Sequence, residues 1–293
     1  MQDVSSTPLP QLSPRDADSH KGDYGRVLII GGSRGMAGAP ALAGKAALRS
    51  GAGLVTLAVP RLIQSTVASF EPSYMTLGFG KPEDEALSLD SRQELSDCTQ
   101  IMTVVALGPG LHRIDELHTS QLVQELYAEV AGPMVVDADG LNAVAAHPIG
   151  LQSPGGPRIL TPHPGEFQRL AGEPVERETN KRADQAANLC NIDPSGQTIV
   201  VLKGHRTIVT DGRQYAVNAT GNPGMATGGT GDCLTGIITA LVAQGLSPWG
   251  AARLGVHVHG LAGDLAAAQL GQVSSIASDL IDFLPTAFQQ LAA

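Results

Sequence analysis

Cysteine, aromatic residues, long apolar runs and positive charge are all scarce in this chain, and each shortage excludes something. Only Cys98, Cys190 and Cys233 occur in 293 residues. They lie far apart, with no CxxC pair and no histidine at zinc-site spacing, so neither a disulfide framework nor a structural zinc site is expected. A reducing cytoplasm is the expected location. Nowhere do roughly 18 uncharged apolar residues run together, the length a membrane-crossing helix needs. The segment 1–25 is polar and proline-rich and lacks the apolar stretch of a signal peptide, so no membrane partner is expected. Nineteen Lys and Arg face 28 Asp and Glu, for a net charge of −9. Without a basic run, such a balance repels a phosphate backbone, which excludes nucleic acid as a partner.

What the chain does contain is 42% hydrophobic residues with 3% aromatics, together with 35 glycines. Ala, Val, Leu and Ile carry the apolar fraction, which suits buried parallel strands, alanine-rich helices and tight turns. Short β-branched runs bounded by Gly, Pro or Asp predict strands at Arg26–Ile30, Leu54–Val59, Ile101–Leu107, Met134–Val136, Arg158–Leu160 and Thr198–Leu202. Amphipathic stretches such as Ala39–Ser50 and Leu117–Val130 lie between them. Alternating strands and helices predict an α/β fold with a parallel sheet covered on both faces, where ligands gather beyond the carboxyl ends of the strands. After Lys203, the runs Arg206–Thr210 and Gln214–Asn218 flank Asp211-Gly212 and predict an antiparallel hairpin on the sheet edge. Helices are expected at Cys233–Gln244, Trp249–Gln269 and Ser278–Leu291. The charged segment Pro82–Asp97 reads as a surface connection. A flexible arm over 1–20 and a single domain over 21–293 are the expected organisation.

The densest chemical signal is Asn222-Pro223-Gly224 through Gly228-Gly229-Thr230-Gly231-Asp232, which runs directly into a helix. Its glycines let backbone amides approach a ligand, and the helix start favours an anion. Asp232 would be out of place beside a phosphate unless it accepts a proton from an attacking hydroxyl. The alternative is that it merely caps the helix. Gly38 to Lys45 fails as a P-loop in its spacing and in having Ala46 where a hydroxyl should follow, and Gly31-Gly32-Ser33-Arg34-Gly35 does not spell G-x-G-x-x-G. Gly108-Pro109-Gly110 and Asp137-Ala138-Asp139-Gly140-Leu141-Asn142 each follow a strand. In the second of these, the carboxylates either orient a water or sugar hydroxyl or cap a helix. Thr161-Pro162-His163-Pro164-Gly165-Glu166 presents a His on a loop stiffened by proline, which favours ligand contact. Glu166 there is either a cap or an outer magnesium contact. Lys203 to Thr207 read as a nucleotide shelf at a strand end; the alternative, a solvated hairpin corner, would not need a charge cluster at the sheet's carboxyl end. His257 and His259, two apart on a helix, read as packing or interface polar groups.

Together these blocks, with Met36-Ala37-Gly38-Ala39-Pro40 and Ala46-Ala47-Leu48-Arg49-Ser50-Gly51-Ala52-Gly53-Leu54-Val55, resemble the ADP-dependent NAD(P)H-hydrate dehydratase family from about Lys21 to the C-terminus. The resemblance implies a ribokinase-like three-layer α/β/α fold with a mainly parallel sheet. It also implies ADP-driven removal of water from the 6S hydrates of NADH and NADPH, with Mg2+ as cofactor and AMP and phosphate as products. Carried over by position, Ala39, Gly110, His163 and Asp232 would contact the hydrate, with Asp232 as the catalytic base. Lys203, Gly204, His205, Arg206, Thr207 and Gly231 would bind the nucleotide, and the metal ligands are left unassigned. The resemblance further implies a homo-oligomer, commonly a tetramer. Because about 20 residues precede the core, the epimerase that interconverts the R and S hydrates is expected to be a separate chain. A ribokinase-like kinase of a vitamin precursor or sugar would need the same loop and the same Asp232.

Overall fold

The computed structural model describes residues 1–111 and 118–292. In chain order the elements are β1 (Gln2–Asp3), β2 (Arg26–Ile30), α1 (Gly38–Arg49), β3 (Leu54–Pro60), α2 (Gln64–Ala68), β4 (Met75–Phe79), α3 (Arg92–Thr99), β5 (Val104–Leu107), α4 (Thr119–Glu129), β6 (Met134–Val136), α5 (Asp139–Ala146), β7 (Arg158–Leu160), α6 (Pro164–Ala171), α7 (Thr179–Cys190), β8 (Thr198–Leu202), β9 (Ile208–Thr210), β10 (Gln214–Val217), α8 (Thr230–Ala243), α9 (Pro248–Leu270) and α10 (Ala277–Ala292). Short 3-10 turns join several of them. The strands form one sheet in the order β1-β10-β9-β8-β7-β6-β5-β2-β3-β4. Among the described strands, the β8–β9 and β9–β10 pairs are antiparallel and the others parallel.

The central strands are hydrophobic on both faces because helices cover both. Val27 and Ile29 of β2 join the cluster under α1, α8, α9 and α10. Leu28 and Ile30 point the other way, into the cluster under α3 to α7. This two-faced burial is why these strands read as unbroken apolar runs. On the first face α1 and α8 touch backbone to backbone, since a Cβ on Gly236 would stand 2.0 Å from the Ala43 carbonyl oxygen. At the amino end of β7 the fully buried Arg158 donates to the carbonyls of Tyr127, Val130, Gly132 and Pro157. Burial lowers its pKa to about 10, and this clasp closes the end of the sheet opposite the ligand-facing one.

Several boundaries differ from expectation. The arm expected to be flexible is laid along the sheet. Gln2 and Asp3 pair with Gln214 and Tyr215, so β1, not the hairpin, is the outermost strand on that side. Arg253 Nη2 donates to the Thr7 carbonyl (2.8 Å), Arg15 Nη2 donates to that of Gly51 (2.7 Å), and Leu9 and Leu12 pack on the core. A two-residue strand held by distant partners leaves no local periodicity to read. Ile101 is exposed and β5 begins only at Val104. The segment Pro82–Asp97 carries more structure than a surface connection. Leu87 and Leu95 are buried, Arg92–Thr99 is helical, and Ser33 bridges Ala86, which ties this strap to the turn after β2. Of the amphipathic stretch Leu117–Val130, Leu117 lies outside the described residues and the helix runs over Thr119–Glu129. Among the described residues, no helix is long and apolar enough to cross a membrane.

Candidate active site

The site forms where β6, β7 and β8 end and α8 begins. Asp137 directly follows β6 and is 1% exposed. Its Oδ1 accepts from Lys203 Nζ at 2.7 Å and its Oδ2 from the Thr235 hydroxyl at 2.8 Å. Burial by itself would raise the pKa of Asp137; Lys203 outweighs it, with help from Thr235, and holds the carboxyl below its usual range. The same pairing raises the Lys203 pKa against the opposing effect of burial. Both groups are therefore charged at neutral pH, and the pair forms the floor of the site.

The N-terminus of α8 lies over this floor. A Cβ on Gly231 would stand 3.3 Å from Lys203 Nζ and 3.7 Å from Asp137 Oδ2. Gly229, at φ 92°, occupies the N-cap position and Asp232 is the third residue of the helix. Asp232 is thus not the cap. Among the described residues, nothing hydrogen-bonds to its carboxylate. Burial, and then repulsion from Asp137, lift its pKa to about 7. A carboxyl of that pKa, free of hydrogen bonds at an anion-favouring helix start, suits a general base better than a structural role.

His163 follows β7 and caps α6. Its Nδ1 accepts from the amides of Gly165 (3.0 Å) and Glu166 (3.3 Å), while its own amide donates to Glu166 Oε2 (2.8 Å). The cap role therefore belongs to His163, with Glu166 completing a reciprocal capping box. The ring remains half-exposed, with Nε2 3.2 Å from Glu166 Oε1. Glu166 itself is buried, 3.9 Å from Lys203 Nζ, and burial raises its pKa to about 7. Replacing His163 with Ala should cost about 1 kcal/mol of stability through the lost cap. Asn, itself a good cap, should keep that stability while removing Nε2, the ring nitrogen that does not cap the helix. Denaturant titration of the two variants separates the cap from any ligand contact.

The remaining predicted residues fall into two groups. Ala39, at the start of α1, adjoins Gly110 in the loop after β5, since a Cβ on Gly110 would lie 3.0 Å from that of Ala39. They connect to the α8 start through Leu42, which packs against Gly229. Gly204, His205 and Arg206 form an exposed turn, with Arg206 at φ 57°. Thr207 closes it through its hydroxyl to the Gly204 carbonyl. Arg182 Nη1 donates to the His205 carbonyl at 2.9 Å, which ties the turn to α7.

Four supporting residues escape sequence reasoning. Thr235 and Arg182 reach the site from within helices. Asp264 on α9 accepts from the amide of Gly221 and the side chain of Asn222, both at 2.9 Å, and so pins the start of the glycine loop. His259, read as a packing or interface group, lies against the Thr230 carbonyl. The last two lie five residues apart on α9 and so on different faces of it, which leaves no periodicity to mark them. A cavity of about 420 Å³ opens next to Asp139, between α4, α5 and α6, with Asn142 and Arg169 on its wall.

A mainly parallel sheet between two layers of helices, with a glycine-rich anion loop leading into a helix that bears Asp232, defines the ribokinase-like class. A ribokinase-like superfamily protein from Enterococcus faecalis V583 superposes with a TM-score of 0.80 at 29% identity, covering 96% of this chain and 92% of that one. The chain belongs to the NAD(P)H-hydrate dehydratase family, whose model matches residues 27–286. It is similar to the bifunctional NAD(P)H-hydrate repair enzyme Nnr of Moorella thermoacetica, with 47% identity over 96% of this chain and 52% of that protein. The chain thus spans about half the length of the curated relatives it matches. An ADP/ATP-dependent NAD(P)H-hydrate dehydratase from Bacillus subtilis, co-crystallized with ATP/Mg2+, is 30% identical with a TM-score of 0.79, covering 96% of this chain and 94% of that one.

Proposed function

We propose that this chain dehydrates the 6S hydrate of NADH or NADPH at the expense of ADP. The observation that carries the reading is Asp232, a carboxylate that makes no hydrogen bond among the described residues and lies above the Lys203–Asp137 pair at the start of α8. In the proposed reaction Asp232 takes the proton of the hydrate's hydroxyl as its oxygen attacks the β-phosphorus of ADP. An O–P bond forms, the bridging P–O bond breaks, and AMP leaves. The carbon–oxygen bond then breaks with the electron pair leaving on phosphate, a far better leaving group than hydroxide. The neighbouring ring carbon gives up its proton to solvent, and the dihydropyridine is restored. The amides of Gly231 and Asp232, with Lys203, stabilise charge on the transferring group. Ala39, Gly110 and His163 contact the hydrate, while Lys203 to Thr207 and Gly231 hold the nucleotide.

Magnesium fits this site as a companion of the nucleotide. Among the described residues, no group of three or more His, Cys, Asp or Glu side chains could hold an ion alone. Yet Asp137, Glu166 and Asp232 crowd around the single ammonium of Lys203, an excess of negative charge that a cation borne on phosphates would offset. Glu166 would contact it through water, and the ion would neutralise charge on the phosphate oxygens. A cytoplasmic homotetramer belongs to the same proposal. The exposed Phe70, Met75 and Leu77 at or near the uncovered edge strand β4 support an assembly face. Partnership with an epimerase is supported by the bifunctional repair enzymes among the relatives.

The test is a coupled assay. With ADP and the NADPH hydrate, the absorbance of the dihydronicotinamide should recover as AMP accumulates. ATP-driven phosphorylation of a hydroxymethylpyrimidine or a sugar, with the hydrate inert, would overturn the reading in favour of a small-molecule kinase. The pH profile has a defined sign. Asp232 works as a base only when ionised, so kcat/KM should rise by about tenfold per pH unit up to about pH 7 and level off above it.

A further inference from the structure

Helix α9 meets the anion site through His259. Its Nε2 lies 2.8 Å from the Thr230 carbonyl oxygen. A carbonyl only accepts, so this contact puts the imidazole proton on Nε2. Burial pushes the ring's pKa down to about 4, which keeps it neutral at physiological pH. The Thr230 carbonyl and the Gly231 N–H belong to one planar trans peptide unit and point in opposite directions. With the carbonyl turned toward α9, the N–H faces away from it. Among the described residues, that N–H has no backbone acceptor, and Gly231 borders Lys203.

We propose that His259 is a positioning residue: as a second donor to the Thr230 carbonyl, from outside α8, it steadies the Gly231 N–H toward the nucleotide's phosphate, and by polarising the shared peptide it strengthens that donor. The rest of the glycine loop is anchored separately. Asp264 and Asn222 fix residues 221–224, and the Thr230 hydroxyl is spent on the carbonyls of Met225 and Thr227. The Thr230 carbonyl heads the hydrogen-bond ladder of α8, and His259 adds to it a second donor, from α9. The inference rests on the nucleotide site proposed above, and its consequence for turnover rests also on the dehydratase reading.

The test compares three variants of the full chain. His259→Phe keeps a ring but removes the donor, and His259→Ala removes the donor without adding bulk. His259→Gln places an amide N–H near the position of Nε2. Calorimetry with ADP should give affinity roughly tenfold weaker for both donor-less variants and within about threefold of wild type for Gln. Turnover of the hydrate should fall by about 30-fold or more in Phe and Ala, with its KM within about threefold, and recover in Gln, because the donor acts mainly on the transferring phosphoryl group. Thermal midpoints are measured alongside. Equal losses in Gln and Ala, or unchanged ADP affinity in Ala, would overturn the role. If the wild-type chain binds ADP but leaves the hydrate untouched, the dehydratase reading fails. The ADP series then still decides the role of His259.

Discussion

Asparagine in place of Asp232 is expected to lower turnover by at least ~10²-fold while leaving ADP affinity within a few-fold, the scale of a lost general base. The substitution keeps shape and size at the third position of α8, and it breaks no hydrogen bond to the carboxylate among the described residues. It also removes a negative charge crowded by Asp137, Asp139 and Glu166, so nucleotide binding should hold or tighten and stability should not fall. A purely structural Asp232 would give the opposite pattern, a loss of stability with turnover preserved. Steady-state kinetics with calorimetry on the same preparation separates the two, and near-wild-type turnover would end the assignment of Asp232 as the base.

Replacing Lys203 with Met is expected to be the most destabilising single change in the site. It leaves the Asp137 carboxylate buried against Thr235 with no cation beside it. Breaking a buried pair in this way costs about 3–5 kcal/mol, which chemical denaturation would register directly. Adding Asp137→Asn removes the stranded charge and should restore much of the stability. Turnover should not return, because Lys203 also faces the phosphate site beneath Gly231. If stability stays lost in the double variant, Lys203 acts mainly through packing of its stem rather than through charge.

The parts legible in the sequence are those whose cause is local. β2, β6, β7 and β8 are buried on both faces, so short β-branched runs mark them without help from distant residues. Asp137, Lys203 and the glycine loop were found because a strand-to-loop transition announces where ligands gather in such sheets. What escaped depends on partners far along the chain. β4 is a half-exposed edge strand with a glycine inside it, and β1 exists only through its pairing with β10. Thr235 meets Asp137 across 98 residues of sequence. His163 was legible as an unusual residue between two prolines, but its bond to the α6 amides required the helix start to be seen. His259 carried no mark to distinguish it from His257, since periodicity along a helix says which face a residue occupies but not what waits there.

The seam between α1 and α8 has a bearing on how readily the site receives its ligand. With Gly236 against the Ala43 carbonyl, the helix that offers its first amides to phosphate is held by a second helix along its length. The donors stand in place before any anion arrives, so association sacrifices little conformational freedom and more of the contact energy remains as affinity. The same closeness makes the receptor intolerant of drift. One methyl group added at Gly236 would have to push apart the two helices, and Asp232 would move with the one it belongs to.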